Sequence, residues 1–478
     1  MSEPLWSLDA MAAAMKAERA GNLPPDVPGL SIDTRTIKPG EAFFAIRGEN
    51  RDGHEFVEAA LQAGAGLAVV ARRRMAAMPQ GAPLLIADDA LAGLNDLAKA
   101  SRARSQAKIV AVTGSVGKTG TKEALRLVLG KQGETHASAA SYNNHWGVPL
   151  SLALMPQSAK FGVFEIGMNH AGEITPLTKL VRPHVAIVTT IAPVHLEFFG
   201  TLAAIADAKA EIFLGVEPGG TAVLNADNPQ FAHLKRAAQV AGVKHIVAFG
   251  ESGGADAHLA KVSLQAETST VQASILGRDV TYKLGAPGRH VVENSLAVLA
   301  AAQLLGADLA LAALALADLK APAGRGERVT LELPGGAVLL IDESYNANPV
   351  SMRAALALLG QVPMKGMGRR IAVLGDMLEL GPDGAALHAD MADAVTGNAV
   401  DLVFCSGPLM KSLWDALPSG RRGGYADTSA ALEPEILGAI AANDAVMIKG
   451  SLGSRMSPIV KALRRRYAPA EAKSAPQG

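Results

Sequence analysis

The 478-residue chain holds a single cysteine, Cys405, so no internal disulfide can staple it. That cysteine lies in the apolar run DLVFCSG and reads as a buried structural thiol. Aromatic residues make up 4% of the chain, leaving few platforms on which bases could stack. Charge of one sign is missing too: Lys+Arg and Asp+Glu number 45 each, so a nucleic-acid partner is not expected. No apolar run reaches the about 20 residues of a membrane span. The Ala-rich stretch after Ala307 is interrupted by Asp308, Asp318 and Lys320. The N-terminus, MSEPLWSLDAMAAAMKAERAG, carries acids and lacks the basic-then-apolar plan of a signal peptide. These absences point to a cytoplasmic enzyme without a membrane span; a monomer is expected.

With 49% hydrophobic and 19% charged residues the chain is expected to fold into a globular protein. At about 100–200 residues per domain, its length suggests two to four domains. Residues 1–107 contain short β-like pieces (EAFFAIRG, GLAVVA, PLLIAD) and an Ala-rich helical stretch from Phe56 to Ala65. Residues 108–323 open with the strand KIVAVTG and continue through FGVFEIGM, HVAIVTTI, TAVLNAD and HIVAFG, with helical patterns between several of them. That alternation predicts a mostly parallel sheet covered by helices. Polar pieces between Gly253 and Thr281 read as small antiparallel strands within or beside it. After the Gly/Pro-punctuated APAGRGER, residues 324–466 repeat the alternation (AVLLIDES, RIAVLGD, DLVFCSG, DAVMIKG), and a Rossmann-like, doubly wound unit is predicted. Residues 467–478 read as a disordered tail. The expectation is an α/β protein of three domains: a small N-terminal α/β substrate domain, a central phosphate-loop domain and a C-terminal Rossmann-like domain.

The strongest local signal is TGSVGKT, Thr113 to Thr119, between a strand and the helical pattern TKEALRLVLG. Gly114 and Gly117 permit a tight turn around Ser115 whose amide hydrogens can face phosphate oxygens at a helix N-terminus. Lys118 would neutralise the β/γ-phosphates and the Thr119 hydroxyl would ligate Mg²⁺. The spacing departs from the usual G-x-x-x-x-G-K-[ST], because Val112 stands where the first glycine belongs. ATP is the expected ligand. Glu165 ends the apolar strand FGVFEIG, and a carboxylate there is costly unless it holds a metal or a buried ion pair. His195 follows the strand HVAIVTTI at the same presumed edge; its residue type alone leaves it open between structure and catalysis. Lys209, in ADAKAEIF, is open between a helix surface and a site.

The shortened loop resembles that of the Mur ligases and their folylpolyglutamate synthetase relatives. EIGMNHAGEI is similar to the family segment whose glutamate holds Mg²⁺, which implies that role for Glu165 beside Thr119. The resemblance also implies that His195 binds a second Mg²⁺ and that Lys209, carbamylated by CO₂, helps hold it. GRHVVENSLAV resembles the family's G-x-H-N-x-x-N segment; Asn294 stands where the adenine-contacting asparagine belongs, and Val291 replaces the earlier one. The residues alone would equally let Asn294 cap the Ala-rich helix. Arg325 in GRGER is similar to an arginine on the nucleotide phosphates. In IDESYNANP the family implies a ribose or hinge contact for Asp342 and a place in the closed nucleotide site for Tyr345 and Asn346, although turns favour Asn and Pro anyway.

Three blocks point to a branch. SIDTRTIKPGEAFFAIRGENRDGHEF is similar to the block of ligases that bind UDP-muramoyl peptides, which implies substrate contacts from Ser31, Thr34 and Arg35. SYNNHWGVPLSL, with Asn143 and Asn144, resembles the segment that approaches the muramoyl substrate. DESYNANP with LGDMLELG resembles the branch that adds D-alanyl-D-alanine to a UDP-N-acetylmuramoyl-tripeptide. The D-N-P-R signature of the diaminopimelate-adding branch is not seen; DNPQ, Asp227 to Gln230, falls in the central segment. The implied catalytic set is Lys118, His195 and Lys209, with ATP and two Mg²⁺. The rival readings are another Mur or folylpolyglutamate-type ligase and a nucleotide-dependent binding protein that closes without ligation.

Overall fold

The structure is a computed structural model and describes residues 4–139 and 142–467. The tail expected beyond Arg466 lies, from residue 468 on, outside the described residues, as does Ser141 of the SYNNHW segment. Strands whose residues are almost all apolar must be covered on both faces, and the central sheet shows the result. Its nine strands run in the order Arg278–Leu284, Ser269–Ile275, Ala257–Leu264, His245–Gly250, Thr221–Asn225, Val185–Val188, Lys108–Thr113, Phe161–Glu165, Thr135–Ala137. All neighbours pair in parallel except the last hairpins at the Arg278–Leu284 edge, which are antiparallel. The polar pieces expected within or beside it are thus antiparallel strands that extend this sheet.

The central position of Lys108–Thr113 decides where a ligand can sit. The chain leaves it toward Phe161–Glu165 on one side and returns to Val185–Val188 on the other. A crevice opens outside the carboxyl ends of parallel strands where the winding reverses. The loop after Thr113, Glu165 and the loop after Val188 all end there.

Helices bury apolar stripes on both faces. Leu125, Val128 and Leu129 of the helix Lys118–Gly130 share one cluster with Leu296, Leu299 and Ala300 of Arg289–Leu304. On the other face Leu94 and Leu97 of Ala90–Arg104 pack in one cluster with Leu150 and Leu152 of Gly147–Ala153, so the N-terminal segment shares the central core. Each such leucine stabilises the fold by roughly 2 kcal/mol. Polar ties fix the register: Trp6 Nε1 donates to the Ala153 carbonyl at 2.9 Å, and Arg102 Nε to that of Val181 at 2.8 Å.

The N-terminal sheet has five strands, in the order Glu18–Ala20, Leu84–Ala87, Leu67–Ala71, Ala42–Phe44, Leu30–Ser31. The third sheet has six: Glu327–Leu333, Gly336–Glu343, Ala445–Lys449, Arg370–Gly375, Leu402–Ser406, Arg422–Ala426. Only its first pair is antiparallel. Met352 and Leu356 pack on one face, Ile436 and Ile459 on the other, so it is doubly wound as expected. Cys405 is fully buried and its thiol is pushed up to about 12 by desolvation, in keeping with an inert core residue. The helix expected from Phe56 to Ala65 is shorter, a tight turn Gly53–Phe56 followed by Val57–Gln62. Gly64 at φ +103° ends it, a conformation glycine adopts without penalty. Among the described residues no helix is long and apolar enough to cross a membrane.

Candidate active site

The loop between Thr113 and Lys118 turns on two glycines with positive φ, Gly114 at +145° and Gly117 at +88°. A side chain at Gly114 would collide with the Thr189 hydroxyl, and a Cβ at Gly117 would lie 2.6 Å from Asn294 Nδ2. Asn294 therefore stands directly against the phosphate loop. It is not a cap: the helix Arg289–Leu304 starts after Gly288, well before it. The loop is fixed from the next strand's end. Ser115 Oγ donates to the Ala192 carbonyl at 3.1 Å and accepts from the Ala192 amide at 3.0 Å, while Thr189 Oγ1 donates to the Val116 carbonyl at 2.5 Å. No side chain caps the helix that begins at Lys118. Its first amides are free to meet an anion, with the helix dipole favouring negative charge. Lys118 folds back so that Nζ donates to the Gly114 carbonyl at 2.7 Å. Desolvation lowers its pKa, partly opposed by Glu165 and assisted by Arg325.

Glu165 is buried, and among the described residues it forms no ion pair. Oε2 accepts from the Thr119 hydroxyl at 2.9 Å and Oε1 from Asn143 Nδ2 at 2.8 Å. A carboxylate and a hydroxyl side by side are hard oxygen donors of the kind Mg²⁺ takes. Among the described residues no three His, Cys, Asp or Glu side chains cluster. A cation here would complete its shell with phosphate oxygens and water, as Mg²⁺ commonly does.

His195 sits at φ +55° at the head of the turn Leu196–Phe199, with Nδ1 2.5 Å from Glu379 Oε2. Burial lowers its pKa, Glu379 opposes that, and Lys209 and Lys118 add to it. Lys209 is not on a helix surface: it is 1% exposed, and no hydrogen bond or ion pair holds its amine among the described residues. Burial, with Lys118 nearby, holds its pKa well below the usual lysine value.

Of these groups Lys118, Thr119, Glu165 and His195, but not Lys209 or Glu379, border a cleft of about 450 Å³ whose walls come from both the central and the third sheets. Ser115, Gly117, Lys118, Thr119, Asn143, Glu165, His195, Asn294, Arg325 and Asn346 all reach it. Arg325 stacks on Tyr345, its guanidinium carbon 4.1 Å from the ring centre. Asp342 does not face the cleft: its carboxylate takes the Ser344 amide at 3.0 Å and hydroxyl at 2.6 Å. Glu343, one residue on, lines the cleft and pairs with buried Lys449 at 3.0 Å. Lys449 also donates to the Asn346 carbonyl at 3.0 Å. Asn348 caps the helix Pro349–Gly360 through a capping box with Ser351. Ser31, Thr34, Arg35 and Asn144 do not line this cleft. Ser31 and Arg35 both bond Asp33, and Asn144 Oδ1 accepts from the Gly147 amide at 2.9 Å. Sequence reading missed Glu343, Glu379, Lys449 and His290, the last on the cleft wall with its pKa lowered by burial. Only the burial cost of a lysine ending the apolar strand DAVMIKG could have flagged Lys449.

Three family models cover most of the chain: the Mur ligase family catalytic domain over residues 26–101, the Mur ligase middle domain over 112–302 and the Mur ligase glutamate ligase domain over 324–452. The UDP-N-acetylmuramoyl-tripeptide–D-alanyl-D-alanine ligase of Escherichia coli (strain K12) is 35% identical over 446 residues, 91% of this chain and 93% of its own length. The chain belongs to the Mur ligase family. Solved Mur ligases share its architecture. The crystal structure of MurF from Acinetobacter baumannii superposes with a TM-score of 0.82 at 28% identity, covering 97% of this chain and 99% of that one. MurF from Thermotoga maritima in complex with ADP gives 0.73 at 25% identity, covering 92% and 98%. A three-domain Mur ligase fold accounts for the three sheets described above.

Proposed function

We propose that this Mur ligase joins D-alanyl-D-alanine to UDP-N-acetylmuramoyl-tripeptide with hydrolysis of ATP to ADP and phosphate, a step of peptidoglycan precursor synthesis in the cytoplasm. The observation that carries the reading is one continuous site. Lys118, His195, Tyr345 and Asn346 line both the nucleotide cleft and a second cavity of about 250 Å³ beyond the phosphate loop. Near-full-length similarity to ligases of that name supports the choice of substrates.

A carboxylate resists attack by an amine because oxide would have to leave. In the proposed route the tripeptide's terminal carboxylate attacks the γ-phosphorus of ATP, ADP leaves, and an acyl phosphate results. The amine of D-alanyl-D-alanine adds to its carbonyl carbon, and collapse of the tetrahedral intermediate expels phosphate and leaves the amide. Lys118 neutralises the charge gathering on the phosphates, and the free amides of the helix Lys118–Gly130 orient them. Thr119 and Glu165 would hold one Mg²⁺. His195 and Lys209, its amine carbamylated by CO₂ with release of a proton, would hold a second. The cations supply screening between carboxylate and triphosphate. Burial of Lys209 without a partner supports the carbamate, since an uncharged amine is the form that attacks CO₂. Asn294 is assigned to the adenine, Arg325 and Asn346 to the nucleotide, and Asp342 to the hinge where the third sheet begins. Ser31, Thr34 and Arg35 receive the UDP-sugar, with Asn143 and Asn144 toward the muramoyl peptide. Domain boundaries near residues 107 and 323 and a monomeric state complete the proposal.

The test is phosphate release from ATP and Mg²⁺ with each substrate omitted in turn and the product weighed. Release that needs both acceptors, with a pentapeptide product, is expected. ATP turnover that ignores the acceptors would instead indicate a nucleotide-driven binding protein.

A further inference from the structure

The second cavity has one feature that the nucleotide chemistry does not use. Among the described residues lining it, Glu379 carries the only carboxylate. An amine acceptor arrives as an ammonium, and Lys118 on this wall opposes a second cation. Glu165, the other carboxylate nearby, faces the nucleotide side and is taken by Thr119 and Asn143. Glu379 is therefore the group on this wall able to hold a cation.

Its surroundings fit a small amphiphile. Val194, Ala347, Leu378 and Leu452 give the cavity apolar wall, with Leu378 39% and Leu452 66% exposed. The carboxylate is 45% exposed, and Oε1 has no partner among the described residues; Oε2 meets His195. The loop that presents Glu379 is built without help from that carboxylate. Buried His388 accepts from the Met377 amide at 2.9 Å, Ser451 Oγ from the Leu378 amide at 3.0 Å, and Asp376 from the Met410 amide at 2.8 Å. Glu379 itself sits at φ +61°, a left-handed conformation that a non-glycine residue holds only when its neighbours fix it.

We propose that Glu379 is the seat for the acceptor's amino group, and that His195 occupies the carboxylate until the acceptor arrives. Once the seated ammonium has lost a proton to solvent, the amine lies within the wall that also carries Lys118 and His195, beside the carbonyl it attacks. The methyl groups of a dipeptide of two alanines face Val194, Ala347, Leu378 and Leu452. This rests on the ligase reading above, and the experiment separates the two.

Full-length enzyme and Glu379→Gln are compared with ATP, Mg²⁺ and the UDP-linked tripeptide, using either D-alanyl-D-alanine or hydroxylamine as acceptor. Hydroxylamine is uncharged near neutral pH and captures the acyl phosphate as a hydroxamate, its nitrogen bonding the carbonyl carbon as phosphate leaves and a proton is lost. The glutamine keeps the shape and an oxygen for His195 but not the charge. The KM for the dipeptide is expected to rise on the order of 10–100-fold, with the KM for ATP and the rate of hydroxamate formation unchanged. A dipeptide KM within twofold of wild type overturns the assignment. Equal loss of hydroxamate formation also overturns it, because Glu379 would then act on the first half-reaction through His195. Absence of dipeptide-dependent phosphate release from the wild type overturns both the seat and the ligase reading.

Discussion

The Thr119 hydroxyl donates to Glu165 Oε2 at 2.9 Å, joining the first turn of the helix after the phosphate loop to the end of the neighbouring parallel strand. The two side chains converge because register sets Glu165 opposite Val112, at the carboxyl edge of the sheet. Glu165→Gln keeps the size of the side chain and removes its charge. Turnover is expected to fall at least about 100-fold and the Mg²⁺ needed for half-maximal rate to rise, with melting temperature unchanged or higher because a buried charge is relieved. A Mg²⁺ titration of both enzymes checks it; an unaltered Mg²⁺ requirement would remove Glu165 from the metal site.

Gly117→Ala places a methyl group against Asn294 in a backbone conformation that costs an L-residue roughly 1–2 kcal/mol. The loop must open, misaligning amides that meet phosphate. The variant is expected to bind ATP at least about tenfold more weakly and to lose roughly 1–2 kcal/mol of stability, the cost of the strained backbone. Calorimetric titration with a non-hydrolysable ATP analogue, beside thermal unfolding, measures both.

Lys118→Ala removes the cation nearest the phosphate loop. By comparison with the about 10³–10⁵-fold effect of a transition-state arginine, a loss of several orders of magnitude in kcat is expected. Activity within tenfold of wild type would contradict the role of Lys118.

Lys209→Ala is expected to lose most activity and to regain part of it with a short-chain carboxylate, which can enter the space left by a carbamate. Full activity in the alanine variant, or loss without any rescue, would count against carbamylation. Mass measurement of the intact enzyme under CO₂-rich conditions gives an independent reading.

His136 is held neutral, its pKa lowered to about 4 by burial, with Nε2 donating to the Ser151 carbonyl at 2.7 Å. The unfolded chain takes up this proton near pH 6.5 and the folded one only near 4. Between those values the unfolded state binds more protons, so stability falls as pH drops through the window. His136→Gln should flatten that part of the stability curve. Denaturant unfolding between pH 7 and 4 tests the difference.

Much of the fold is legible in the sequence alone. The strand KIVAVT, its glycine turn and the following helix are specified by local apolar runs and backbone freedom, and each appears where expected. Glu165 stood out because a charge ending a buried strand needs a reason. The stretch after Phe56 reads as a longer helix than it forms, because its alanines favour continuing while Gly64 stops it. Asn294 was ambiguous because its place in the helix depends on where that helix starts, which Gly288 decides.

What the sequence determined by itself was therefore the set of elements, their order and the phosphate loop, all governed by short-range patterns. Tertiary structure decided which side chains meet. Adjacent residues of a strand point to opposite faces, so only packing could turn Glu343 into the cleft and Asp342 toward Ser344. Likewise His195 and Glu379 are 184 residues apart, and no local pattern records their contact. The Ala-rich helix that carries Lys209 gives no sign of its buried face; the core that closes over the amine supplies that.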